Sequence, residues 1–155
     1  MGLRVEQASA FDMLDTLSDR GGRHRMTRQR FGEMARQVSE GASVTLREEG
    51  GALVAVVGLW PEGDHLEAWL AIGPAFRRNL RGALRAINDA LVFVACREGP
   101  VEVRAYVPAG AGPRVAGARL AAWLGFEGGE AEATPIGPVP VFRRQFGGQP
   151  HGREG

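Results

Sequence analysis

The chain of 155 residues contains no lysine, and all 19 of its basic residues are arginine. That excludes a Schiff-base lysine, a Walker-type phosphate lysine and acetylation of the protein's own lysines. Cysteine is nearly absent too. Cys96 stands alone, so neither an intrachain disulfide nor a cysteine-cluster zinc site can form, which suits a cytoplasmic setting. The three histidines, His24, His65 and His151, show no ligand spacing and read as surface residues, so no metal is expected. No apolar run approaches the roughly 18 residues of a membrane span. The start, Met1 to Glu6, lacks the apolar core of a signal peptide and the myristoylation pattern. With 19 basic residues against 18 acidic, no overall field draws the chain toward nucleic acid, membrane or acidic partners. Any charge argument must be local.

What is present is enough for one core: 44% of the residues are apolar. The chain reads as a single domain over residues 1–146, with a Gly-rich polar tail over 147–155 that reads as flexible. Leu3 and Val5 alternate as a short strand, and Ser9 caps a helix carrying Phe11, Leu14 and Leu17. Thr27 caps a second helix, striped by Phe31, Met34, Ala35 and Val38 and stopped before Gly41. Residues 43–47 and 52–60 form an antiparallel hairpin across the 48–51 turn, and 61–64 turn the chain into a strand over 65–72. Leu80, Leu84, Ile87, Leu91 and Val94 recur at steps of four and three, which predicts a helix over 79–95. Cys96 follows that stripe and reads as a small buried hydrophobe. A strand over 101–107, a helix over 113–124 and a hairpin of 126–133 with 139–146 complete the chain. The order is β-α-α-β-β-β-α-β-α-β-β, a mixed α/β domain around one central twisted sheet.

The segment Ile72-Gly73-Pro74-Ala75-Phe76-Arg77-Arg78-Asn79-Leu80-Arg81-Gly82-Ala83-Leu84, together with this order, resembles the GNAT superfamily of acyl-CoA N-acyltransferases. There a strand ends in V-x-P-x-Y-R followed by R/Q-x-x-G-x-G/A, whose amides cradle the coenzyme A pyrophosphate. Ile72, Pro74, Phe76, Arg77 and Gly82 match, and Leu124-Gly125-Phe126 looks like the L-G-F that closes the family's last helix. The resemblance implies acetyl-CoA as cofactor, an amine acceptor, and a donor site of Ile72, Gly73, Arg77, Arg78, Asn79, Leu80, Arg81, Gly82 and Ala83. It also implies Glu67 as a base acting through water, against a solvated or salt-bridged Glu. The family's acid tyrosine falls on Ala121, which has no proton to give. Tyr106, the only tyrosine, is a substitute, against a buried ring with a satisfied hydroxyl. Leu80 replaces the family's first loop glycine, and its Cβ obstructs close approach by a pyrophosphate. In this degraded loop the chain resembles most the bacteriophage-encoded GNAT-like proteins.

Charge supplies an independent argument. Amides and the positive dipole end at a helix start bind phosphate, and Arg77, Arg78, Arg81 and Arg85 crowd one such start with no acid among them. Cations there oppose the dipole, so either a bound polyanion accounts for them or they merely solvate the helix face. A second basic stretch holds Arg20, Arg23, Arg25, Arg28, Arg30 and Arg36 with His24, against Glu33 alone. It lacks the aromatics that base stacking needs, which argues against nucleic acid as a partner. Two functions stay open. One is an acetyl-CoA-dependent N-acetyltransferase; the other is an inactive GNAT-fold binding or structural component with protein partners, such as a virion-associated part of a phage-like particle, whose candidate contacts include Trp60, Trp69 and Trp123. Self-association is compatible with both.

Overall fold

Residues 53–59 form an unbroken apolar run, Leu-Val-Ala-Val-Val-Gly-Leu, and all seven are buried. A strand read as continuously apolar must be covered on both faces, so this run belongs at the middle of a sheet. In the computed structural model, which describes residues 2–9, 11–12, 28–97, 99–107, 115–135 and 137–147, it does. The strands are β1 (Leu3–Gln7), β2 (Ala42–Glu48), β3 (Leu53–Glu62), β4 (His65–Ile72), β5 (Val101–Tyr106), β6 (Glu127–Thr134) and β7 (Gly137–Phe146). They make one mixed seven-stranded sheet in the order β1-β2-β3-β4-β5-β7-β6. The helices are α1 (Arg28–Glu40), α2 (Leu80–Arg97) and α3 (Val115–Trp123), with a 3-10 turn over Arg77–Asn79. The expected order therefore holds, with Phe11 and Asp12 helical as the described part of the first expected helix. Leu14, Leu17, Thr27 and most of the first basic stretch lie outside the described residues, as do residues 108–114 and 148–155. Boundaries move by one or two residues: Pro61 and Glu62 extend β3, β2 gains one residue at each end, β6 is displaced by one, β7 starts at Gly137, and α2 runs on to Arg97.

The chain divides into two compact units. The first comprises the described parts of Met1–Trp60 and Ala68–Ala90. In it, β1 pairs antiparallel with β2, and β2 with β3, with a register shift between Leu46 and Arg47. Its core gathers Ala8, Val38, Leu53 and Val56, with Trp69 and Ala71 packed against them. Each such Val or Leu contributes about 1.5–3 kcal/mol on burial. The Trp69 ring lies so close over Gly58 that a Cβ there would meet it at 2.2 Å.

The start of the first helix is fixed to β2 by a polar network. The Ser9 amide donates to Asp12 Oδ2 at 2.9 Å, and the Asp12 amide donates to Ser9 Oγ at 3.4 Å, a reciprocal cap. Thr45, buried to 0% exposure, donates its hydroxyl to the same carboxylate at 2.8 Å, and Arg47 donates to Oδ1 at 2.5 Å. Burial pushes the Asp12 carboxyl up, but the bonds from Ser9, Thr45 and Arg47 outweigh it and hold Asp12 below its usual range.

The second unit comprises Pro61–Glu67 and the described parts of Leu91–Gly155. Here β7 pairs antiparallel with both β5 and β6, so the last hairpin places its second strand beside β5. The Leu124-Gly125-Phe126 motif is a helix stop. Gly125 takes φ +80°, its amide donates to Ala122 O at 3.0 Å, and the Phe126 amide reaches Ala121 O at 2.9 Å. Arg144 caps the freed Leu124 carbonyl at 2.7 Å. Two expectations need correction in this unit. Cys96 is exposed, because it follows the buried Ala95 off the apolar stripe. His65 is no surface residue, with its side chain only 11% exposed. Trp123, one of the candidate contacts, is 55% exposed at the end of α3.

Two glycine substitutions test this packing. Gly58→Ala drives a methyl into the Trp69 ring, and Gly73→Ala places one 2.5 Å from the Leu53 carbonyl oxygen; each should lower stability by about 1–3 kcal/mol in urea unfolding. Gly82→Ala meets only Leu3 at 3.6 Å and should raise stability by up to about 1 kcal/mol through helix propensity.

Candidate functional site

The segment from β4 into α2 is built by backbone contact with β3. The Gly73 amide donates to Val54 O at 2.9 Å, the Ala75 amide to Leu53 O at 3.0 Å and the Phe76 amide to Gly73 O at 3.2 Å. Ile72 ends the strand half-buried, Gly73 passes under Leu53 where only hydrogen fits, and Phe76 is sunk to 4% exposure. Each conserved-looking feature of the motif thus has a mechanical role: strand end, close approach, anchor.

After Phe76 the chain is helical at once. Phe76 (φ −63°, ψ −48°) and Leu80 (φ −51°, ψ −50°) bracket the 3-10 turn, and α2 follows without a break. Leu80 is half-buried and Ala83 fully buried, while Arg77, Arg78, Arg81, Gly82 and Arg85 are exposed. The helical path therefore starts at Arg77, two residues before the 79–95 span expected from periodicity, in its tighter 3-10 form.

The four-arginine cluster is not free of acid, as its local sequence suggests. Glu48, at the end of β2, accepts from Arg78 Nε at 2.5 Å and from its terminal nitrogen at 2.9 Å, a two-pronged pair. The Asn79 side-chain amide donates to the same carboxylate at 2.5 Å and to Ala75 O at 2.8 Å. The Arg78 bond first, and Asn79 second, hold the Glu48 carboxyl down at about 2. Among the described residues Arg77, Arg81 and Arg85 have no such partner. They recur every fourth residue and so form one ridge along the helix start. Arg36, from the first basic stretch, is likewise engaged, paired to Glu33 at 2.8 Å and stacked over the Trp60 ring at 5.2 Å.

Glu67 and Tyr106 lie in the second unit. Glu67 is 35% exposed, with Oε1 3.7 Å from His65 Nε2. Tyr106, the last residue of β5, is half-buried, with Arg104 near enough for the two to interact electrostatically. No hydrogen bond joins Glu67 to Tyr106 among the described residues, and no cluster of side chains there could hold a metal ion. Sequence reasoning misses Glu48 and His65. Glu48 looks like a turn residue of an acidic hairpin loop, and only the pairing of β2 with β3 carries it to Arg78.

No protein-family model matches the sequence, and no curated protein matches it. Solved structures do. A Bordetella pertussis protein described as a GnaT-family acetyltransferase superposes with a TM-score of 0.66 at 20% identity, covering 92% of this chain and 95% of that one. A GNAT superfamily phosphinothricin acetyltransferase from Sinorhizobium meliloti, in complex with AcCoA, gives 0.64 at 18% identity, covering 99% and 95%. The PaiA N-acetyltransferase of Thermoplasma acidophilum, in complex with coenzyme A, gives 0.63 at 14%, covering 94% and 99%. None of the three bears on a phage origin or a virion role.

The Glu48 cluster sets a pH dependence. A carboxyl depressed in the fold adds stability that is complete above its unfolded value near 4.5 and is lost as pH falls toward 2. The stability difference between wild type and Glu48→Gln should accordingly be constant above pH 5 and shrink between about 4.5 and 2 in urea titrations; a difference unchanged across that window contradicts the pair. The chain has the fold of the GNAT acetyltransferases.

Proposed function

We propose that the protein is an acetyl-CoA-dependent N-acetyltransferase acting on an amine, with residues 1–146 working as one domain. The observation that carries this reading is the likeness over nearly the full length of both chains to enzymes solved with AcCoA or coenzyme A. Residues at the start of α2 fit such a donor on charge. Arg77, Arg81 and Arg85 form an exposed cationic ridge, unpaired among the described residues, that would hold its phosphates, with Gly82 exposed between them and Leu3 at van der Waals distance from where a Cβ on Gly82 would stand. Leu80 and the helical turn leave fewer backbone amides for the task than a bent loop has, so side-chain charge carries more of the binding. Arg78 and Asn79 serve instead to lock the turn to Glu48. Ile72, Gly73 and Ala83 contribute by placing the turn. On the acceptor side, Glu67 takes a proton through water, and Tyr106, near Arg104, is the weaker candidate for protonating the leaving thiolate.

A second reading is favoured by one observation: the Glu48 carboxylate already sits on Arg78 at the turn where a pyrophosphate would lie. In that reading the fold serves as a non-catalytic binding component with protein partners, of the virion-associated kind or another assembly.

Calorimetric titration with acetyl-CoA decides between the two. The first reading expects micromolar affinity that weakens at least about tenfold in Arg77→Ala/Arg81→Ala, since each lost charged hydrogen bond is worth about 1.5 kcal/mol or more. It also expects loss of binding in Gly82→Trp. No heat at millimolar acetyl-CoA leaves the second reading.

A further inference from the structure

Strand β4 places His65 and Glu67 on one face by its period of two. Among the described residues His65 Nε2 is enclosed and has no hydrogen-bond partner, an arrangement that proteins rarely leave without a purpose. The other ring nitrogen, Nδ1, lies 3.0 Å from Asp64 Oδ1. The bond from His65 holds the Asp64 carboxyl below its usual range, with smaller help from the backbone and the Arg104 charge. Asp64 is therefore ionised at neutral pH and can only accept, so Nδ1 must carry the ring's proton and Nε2 its lone pair. That nitrogen stands 3.7 Å from Glu67 Oε1. Two acceptors thus lie side by side with no hydrogen between them, and one added proton would convert them into a charge-assisted hydrogen bond.

We propose that Asp64, His65 and Glu67 form a one-proton acceptor in which Glu67 is the outer station and His65 the inner one. The inference rests on the acetyltransferase reading and adds a residue to it. An ammonium substrate gives one proton to the half-exposed Glu67, which passes it to Nε2, where Asp64 and Glu67 flank the imidazolium. The neutral amine nitrogen then bonds to the acetyl carbonyl carbon, the carbon–sulfur bond breaks, and the second nitrogen proton leaves with the sulfur as thiol. By their usual values of about 4.3 and 6.5, an imidazole holds a proton about a hundredfold more tightly than a carboxylate does. His65 is a positioning and proton-holding residue behind Glu67. The charged groups around it are Asp64, Glu67 and Arg104, and Arg104 is itself engaged by Glu102 at 2.5 Å and by Tyr106.

Long-range proton–nitrogen NMR of the 15N-labelled full chain reads the tautomer directly, with His65 identified by the signal missing in His65→Gln. Should that variant fail to fold, assignment through the backbone of the wild type serves. The expected result is the Nδ1–H form at high pH. The protonation midpoint should fall in Glu67→Gln and in Asp64→Asn, while the signals of His24 and His151 stay in place. An Nε2–H tautomer, or a midpoint unmoved by Glu67→Gln, overturns the proposal. Acetyl-CoA calorimetry on the same sample keeps the two claims apart. Absent binding sinks the acetyltransferase reading whatever the histidine does, and binding with an unmoved midpoint sinks the proton acceptor alone.

Discussion

The launch of α2 depends on one close approach. At Gly73 the chain leaving β4 runs so near β3 that even a methyl group would stand 2.5 Å from the Leu53 carbonyl oxygen. Amide bonds from Gly73 and Ala75 to β3 hold it there, and Phe76 then enters the core. Everything beyond follows from where that anchor lies. The helical turn begins at the next residue, and the arginines of α2 inherit their positions from it. A backbone fixed by sheet hydrogen bonds is stiffer than one fixed by side chains, which makes the strand-to-helix junction a suitable mount for a binding site.

Charge at this junction is divided between two tasks. Arg78 and Asn79 close on Glu48 and tie β2 to the turn. Arg77, Arg81 and Arg85 are exposed and unpaired among the described residues, on the stretch of helix where the macrodipole disfavours them by a few tenths of a kcal/mol each. The same sequence thus carries a structural clamp and a free cationic ridge, and only the second is available to an anionic ligand. The fold's enzymes differ widely in what they act on, and fold alone does not choose among them.

The fold was largely legible in the sequence because its signals are local. The stripe from Leu80 to Val94 marks α2, the β-branched run 53–59 marks the central strand, and Gly125 marks the stop of α3. What local patterns do not carry is partner choice across strands. Glu48 reads as loop, and only the register of β2 on β3 brings it to Arg78. His65 reads as surface, because a lone histidine beside a turn gives no hint that its ring will be enclosed. Cys96 fails in the opposite sense: an apolar residue type off the helix stripe is left in solvent. The apolar period also ran past the 3-10 turn, since a tight first turn leaves no mark on a pattern of fours and threes. In the site, Phe76 was named by its motif, but neither its anchoring in the core nor the close approach at Gly73 was read from it, and the division of labour among the arginines was not legible either.

The central claim is that an acyl-CoA donor docks at the start of α2. Amide NMR of the full chain during titration with acetyl-CoA tests it residue by residue. The account predicts saturable shifts concentrated at residues 77–85, with those of Arg77 and Arg81 among the largest. Shifts absent at millimolar acetyl-CoA, or saturable shifts that spare this segment, would contradict it.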